Sequence, residues 1–301
     1  MSQAVDARTL AEVARGASAL PGWLRVVGKF ARHQPLGTIS ALVIVGMWAI
    51  AALSPLISPY PADEAFAGPR LASPSAAHWL GTDEVGRDVL SRLLVGSRLS
   101  LSISLVATVV GIAGGTVIGV LSGFKLGLFD LIWQRLIDAF IAMPILIVLM
   151  VIAFVTGGGL LWVTLAVALV TVPAGSRVIR SQTISVATSD YTEAAAALGA
   201  TEFRIMFRHV LPNVMPTVLV MVALSLGQNI LLQSALSFLG LVASQTPDWG
   251  SMLNVGARRY MEEQPWLAVA PGATIGVMVL AYNLLGDALR DVLDPRLRGS
   301  R

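Results

Sequence analysis

"DYTEAAAALGATEFRIMFRHVLPN", residues 190–213, interrupts a chain that is almost entirely apolar on either side. Read locally, it encodes two short helices and a corner. Asp190 followed by Glu193 is a capping-box-like start, with acidic charge in the first turn. Ala194 to Leu198 propagate a helix of high propensity and little bulk. Gly199 is placed to end it, because a left-handed C′ position favours glycine. Thr201 then caps a second helix. There Phe203, Met206, Phe207 and Val210 recur as an apolar stripe, with Arg204 and Arg208 on another side. Pro212 stops that helix or sits in the first turn of the next one. A helix of about eight residues is not stable alone in water, so it needs a packing partner. Two readings stand at this point: the helix packs under its own bundle, or it docks on another protein.

The chain has 301 residues, of which 55% are hydrophobic and 13% charged. So few charges cannot cover a soluble protein of this length, and lipid is the expected solvent for much of the surface. A net charge of +3, carried by scattered basic residues, does not mark a nucleic-acid binder. There is no cysteine, and His33, His78 and His209 have no metal-ligand spacing; no metal site is expected. Residues 1–35 lack the pattern of a cleavable signal peptide. Within them Trp23, Val26, Val27 and Phe30 share one helical face opposite Arg25, Lys29 and Arg32, which suits an interfacial helix in an N-terminal tail.

Six segments are apolar enough to span a bilayer, near 36–56, 98–122, 136–156, 160–178, 213–234 and 267–287. The fold class is therefore an all-α membrane protein. With both termini cytoplasmic, 15 of the 21 Lys and Arg residues lie inside; Arg70, Arg87, Arg92, Arg98, Arg258 and Arg259 lie outside. The segment 57–97 is then extracytoplasmic, and the loop 190–212 and tail 291–301 are cytoplasmic. Within 57–97, Thr82 or Asp83 is expected to cap a helix that lays Val85, Val89 and Leu93 on the membrane surface. Pro144, Pro173 and Pro271 are expected to bend or end helices.

Gly111, Gly115, Gly119 and Gly123 recur every four residues in the second span, a stripe that lets another helix approach closely. Ionisable groups inside the spans are nearly absent; Asp138 and Asp287 fall at cytoplasmic ends. The polar features are amides: Gln228, Asn229 and Gln233 in span five and Asn283 in span six. They are candidates to line an aqueous pathway, and interhelical hydrogen bonding is the equal alternative. No nucleophile–base pair or phosphate-binding glycine loop is visible, so no catalytic site is expected.

Glu193, Ala194, Ala195, Gly199, Leu211 and Pro212 stand at the spacing of the loop Glu-Ala-Ala, three residues, Gly, nine residues, Ile, one residue, Leu-Pro. This resembles the EAA loop of ATP-binding-cassette (ABC) importer permeases. His209 occupies the Ile position, a departure common in the peptide-importer branch. "HWLGTDEVGRDVLSRLLVGSRLSL" (78–101), "PDWGSML" (247–253) and "DVLDPRLR" (291–298) are similar to segments of the C-type permeases of dipeptide, oligopeptide and nickel importers (DppC/OppC-like).

The resemblance implies a type I ABC importer (MetI-like) permease fold, with a five-helix core over 98–290 preceded by one extra helix. It also implies the partners: a homologous B-type permease, two cytoplasmic ABC ATPases that bind ATP and Mg, an extracytoplasmic substrate-binding protein, and membrane lipid. The chain itself would bind no cofactor and would sit in a bacterial inner membrane. The helix at 191–198 with its corner at Gly199 would be the coupling helix, with Glu193 as its polar contact and Ala194, Ala195, Leu198, Ala200, Arg204 and Pro212 completing the loop. Dipeptides or short oligopeptides are the expected cargo; nickel or another small solute is the alternative. The segment 83–88 and the loop 247–266 are candidates to contact the binding protein, with the capped surface helix the preferred reading of 83–88. A self-contained secondary transporter would need a midspan ionisable group and usually an internal repeat, and neither is visible.

Overall fold

The computed structural model describes residue 28 and residues 30–293. The tail face of Trp23, Val26 and Val27 and most of 291–298 lie outside these residues. Among the described residues the fold is helical, with no strand. The long helices are α1 (Pro35–Ile57), α2 (Val89–Lys125), α5 (Leu160–Ala187), α8 (Leu211–Phe238) and α10 (Trp266–Leu293). Between them lie α3 (Gly127–Ile141), α4 (Ile145–Val155), α6 (Asp190–Ala197), α7 (Glu202–Ile205), a π-turn (Met206–Val210) and α9 (Trp249–Arg259).

Among the described residues five stretches are long and apolar enough to cross a membrane, and α3 with α4 makes a sixth if that bent pair is one span. The expected continuous helix over 136–156 is broken: its two parts meet at 89°. Pro144 is the physical cause. It lacks the N–H that a continuing helix needs and keeps the preceding residue out of the helical region. It caps α4 with φ −60° and ψ 119°. Pro173 and Pro271, by contrast, lie inside α5 and α10, which run through them.

The chain's course gives the bundle two ends. One holds 58–88, 157–159 and 239–265; there Gly159 pairs with Ala243, and Arg259 and Tyr260 reach Glu84. The other holds the start of α1, the α2–α3 junction, α6, α7 and the end of α10, with Gln34 Nε2 donating to Asp291 at 3.2 Å.

α2 and α5 form the most extensive helix pair, and the glycine stripe explains it. A Cβ at Gly111 would lie 2.7 Å from the Ala168 carbonyl oxygen, and at Gly115 2.9 Å from that of Val172. At Gly119 it would lie 2.7 Å from the Ser176 carbonyl oxygen, and at Gly123 2.8 Å from that of Arg180. The partner carbonyl advances four residues as the glycine does, so the two backbones touch at four successive points over about three turns. Buried side chains then fill the remaining space. Leu149, Val163, Val167 and Leu236 join α4, α5 and α8. Leu101, Ile230, Trp249 and Met278 join α2, α8, α9 and α10.

α2 starts at Val89, nine residues before the expected span. Its 37 residues extend about 55 Å, well beyond a hydrocarbon core of about 30 Å. Its cap is Asp88 rather than Thr82 or Asp83: Asp88 Oδ2 accepts from the Ser91 N–H and hydroxyl, both at 2.8 Å. Asp88 Oδ1 meets His78 Nδ1 at 2.9 Å. Asp83 instead closes a turn, accepting from the Val85 and Arg87 N–H groups at 2.9 and 3.0 Å. Val89 is 1% exposed and belongs to a small core with Met252 and Leu267; it does not lie on the membrane surface.

Candidate functional site

The corner at 189–212 is built from local bonds. Ser189 is the N-cap position of α6, and Asp190 is its first helical residue. The expected cap at Asp190 is therefore displaced by one residue. The Ser189 and Thr192 hydroxyls both donate to the Val186 carbonyl, at 2.6 and 3.0 Å, which fixes α6 to the end of α5. At the other end the Gly199 N–H donates to the Ala196 carbonyl at 2.9 Å and the Ala200 N–H to that of Ala195 at 3.1 Å. These are the two bonds of a Schellman motif, and Gly199 takes the φ of +83° that it requires. A Cβ on Gly199 would meet nothing within 4 Å. Within this chain the glycine is thus required by backbone conformation, not by crowding. Thr201 caps α7, accepting from the Arg204 N–H at 3.4 Å.

The apolar stripe of the second helix does not pack as a single face. Val210 is fully buried and Met206 partly so, but Phe203 and Phe207 are 67% and 50% exposed. Ile205, outside the expected stripe, is buried in their place, against Ile179 and Val214. The π-turn is the reason: its i→i+5 pattern stacks Ile205 and Val210, five apart, on the inward side. Phe203 and Phe207 pack on each other instead, ring centroids 4.3 Å apart. With Leu198, 90% exposed, they give the corner an outward apolar surface. Glu193, Ala194, Arg204 and Pro212 are exposed beside it, while Ala195 and Ala200 are half-buried.

The four amides divide two and two. Gln228 and Asn283 are exposed on α8 and α10. Asn229 and Gln233, 1% and 0% exposed, do not line an open path in this structure. Asn229 donates to Thr108 Oγ1 at 2.8 Å and accepts from Thr171 Oγ1 at 3.0 Å, tying α8 to α2 and α5. Gln233 donates to Ser237 Oγ and to Asp248 Oδ1, at 3.0 and 3.1 Å. Both amides are buried because a polar side chain between packed helices must find its partners there. Asn229→Leu is expected to cost only about 1 kcal/mol, the size of interhelical hydrogen bonds in membranes. Thr171 keeps its bond to the Val167 carbonyl at 2.8 Å, so one orphaned hydroxyl is already satisfied. Thermal unfolding of the purified protein in detergent checks the value.

Sequence reading missed a charged junction at the same end as the corner. Arg180 on α5 is bidentate to Asp130 on α3, which also accepts from the Ser122 hydroxyl of α2. Arg177 pairs with Asp138, whose side chain is 44% exposed. The signal was an arginine pair three apart in α5 and an aspartate pair eight apart in α3. Only the fold brings the pairs together, and they hold the near half of the bent pair against α5.

The comparisons with known proteins agree with one another. The family described as "Binding-protein-dependent transport system inner membrane component" matches residues 115–299. The chain is 38% identical over 288 residues to the glutathione transport system permease protein GsiD of Pectobacterium atrosepticum, covering 95% of each chain. It is 35% identical over 282 residues to the dipeptide transport system permease protein DppC of Alkalihalophilus pseudofirmus, covering 93% of this chain and 92% of that one. Among solved structures it is similar to an amino acid ABC transporter with histidines: TM-score 0.49, 18% identity, 70% of this chain and 93% of that one. That likeness is too remote to inform cargo or mechanism. With a match of this extent to the family and to full-length relatives, the chain belongs to the binding-protein-dependent inner-membrane transport components and is a permease subunit of an ABC importer.

Proposed function

We propose that the cargo is a dipeptide or another short peptide, moved across a bacterial inner membrane by alternating access. The partners are a homologous B-type permease, two cytoplasmic ATPases that hold ATP and Mg, and an extracytoplasmic binding protein. Both termini and the 190–212 corner face the cytoplasm; 58–88 and 239–265 face outward. This chain performs no bond-making step of its own.

One observation carries the coupling part of this reading: the outward apolar surface of Leu198, Phe203 and Phe207 around a left-handed Gly199. Such a surface on a polar loop marks an interaction site. It is rigidly joined to two spans, through Val186 to α5 and through the π-turn to α8. A force on the corner is therefore delivered to α5 and α8 together, and through the glycine seam to α2. That geometry lets closure of an ATPase pair tilt a packed unit. The bulk of the contact falls on the apolar residues, and Glu193 adds a charge at the edge.

The peptide part rests on the cargo of the two relatives, glutathione and a dipeptide. Purifying the complex with its binding protein and identifying the bound ligand by mass spectrometry tests it; a metal complex in place of a peptide sinks it. For the corner, Phe203→Ala with Phe207→Ala is expected to weaken retention of the ATPases on the permease pair by about tenfold or more, as for truncated aromatic anchors. Quantitative co-purification reads the effect. Unchanged retention would move the docking surface elsewhere.

A further inference from the structure

A cavity of ≈ 250 Å³ opens at the end of the bundle opposite the corner, between the 83–92 turn, the 244–247 loop and α9. Its apolar lining comes from Val89, Met252 and Leu267, 1%, 8% and 5% exposed. Two guanidiniums also line it, those of Arg92 and Arg87, whose side chains are 12% and 25% exposed. The wall therefore offers an apolar part and a cationic part in one cavity.

Both guanidiniums hold spare donors. A guanidinium has five N–H groups. Among the described residues Arg92 uses one in a hydrogen bond, from Nη1 to the Ala62 carbonyl at 3.2 Å. Its contacts with Asp83 and Asp63 are 3.6 and 3.7 Å, too long for hydrogen bonds. Arg87 spends its Nε on Asp83 Oδ2 at 2.7 Å. Asp83 is part of the wall as well, so the wall carries one net positive charge. Asp63, 72% exposed, is solvated and screened.

A carboxylate satisfies such a fork, and the apolar side chains of the same wall say what must be attached to it. An aspartate or glutamate side chain reaching in from another protein brings a charge but little apolar surface, and would leave Val89, Met252 and Leu267 without a partner. The complementary occupant carries an apolar group and a carboxylate side by side. We propose that this cavity binds a small amphiphilic carboxylate, of the kind formed by the C-terminal residue of a peptide. The site follows from the geometry of this chain alone; its link to peptide cargo rests on the reading proposed above.

The test uses the complete transport complex in lipid nanodiscs and three probes followed by calorimetry. N-acetyl-leucine is expected to bind saturably. N-acetyl-leucinamide, with the same apolar group and no charge, is expected to bind at least about tenfold more weakly. N-acetyl-aspartamide, whose carboxylate is at the side-chain tip, is expected to be weaker than N-acetyl-leucine. Arg92→Gln should weaken N-acetyl-leucine by about tenfold or more. Val255→Trp, which fills the cavity and leaves both guanidiniums in place, should remove binding from a complex that still elutes as one peak.

Absence of saturable binding, equal affinity for leucine and its amide, or wild-type binding by Val255→Trp would each overturn the site. Tighter binding of N-acetyl-aspartamide would overturn it in favour of an acidic side chain from a docked protein. ATP-dependent uptake by the same complex reconstituted in sealed proteoliposomes reads the transport assignment separately, so the two can fail independently.

Discussion

Gly199→Asp is expected to reduce ATP-driven uptake to background, a loss of at least about a hundredfold, while the protein still inserts and pairs normally. Backbone strain is not the reason. Gly199 is left-handed at φ +83°, and aspartate is among the few side chains that tolerate this region. Nor is there a clash within the chain, since a Cβ there has nothing within 4 Å. What changes is the outward surface: a carboxylate is placed next to the exposed Leu198. If that surface is buried on an ATPase, an unpaired charge must be desolvated, which costs several kcal/mol. Gly199→Asn keeps the size and the tolerance for left-handed backbone but carries no charge. It should retain a large part of the uptake. Uptake and ATPase co-purification measured on both variants decide the matter. Wild-type uptake by Gly199→Asp, or equal loss in both, removes the corner from the coupling path.

Gly119→Leu is expected to abolish recovery of folded protein. A Cβ at this position would already lie 2.7 Å from the Ser176 carbonyl oxygen, 2.9 Å from Ile179 Cβ and 3.0 Å from the Arg180 N–H nitrogen. Two of those three atoms are backbone, so no rotamer change makes room. Overpacking commonly costs about 1–3 kcal/mol when side chains can yield; here α2 must leave α5, and the cost should exceed that range. Gly46→Leu is the matched control, because a Cβ on Gly46 in α1 meets nothing within 4 Å. Fluorescence size-exclusion profiles should show a monodisperse peak for Gly46→Leu and none for Gly119→Leu. A normal peak for Gly119→Leu would mean that the α2–α5 seam is not the contact that holds the bundle.

How much of this was legible in advance varies with the range of the forces involved. The corner was legible nearly to the residue. The Gly199 ending and the Thr201 cap depend on atoms within one helical turn, and the residue types carry that information. The Asp190 cap was misplaced by one residue for the same kind of reason, since Ser189 and Thr192 compete for the Val186 carbonyl. The capping of α2 was less legible. Thr82, Asp83 and Asp88 all suit a cap, and His78 and Arg87 decide which carboxylate does what. The cavity was not legible at all, because its wall is assembled from three separate segments.

By itself the sequence determined the lipid-facing helical class, the order of its apolar spans, and a helix–glycine–helix corner of recognisable family. Hydropathy, glycine conformation and capping are properties of the residue and its near neighbours. Only the tertiary structure decided that Asn229 and Gln233 tie helices rather than face a path. The same holds for the α2 glycines meeting α5, the third span folding to 89° at Pro144, and Ile205 lying inside while Phe203 and Phe207 lie outside. In each case the outcome depends on which surface arrives opposite, and a side chain's burial is fixed by its neighbours across the fold, not along the chain.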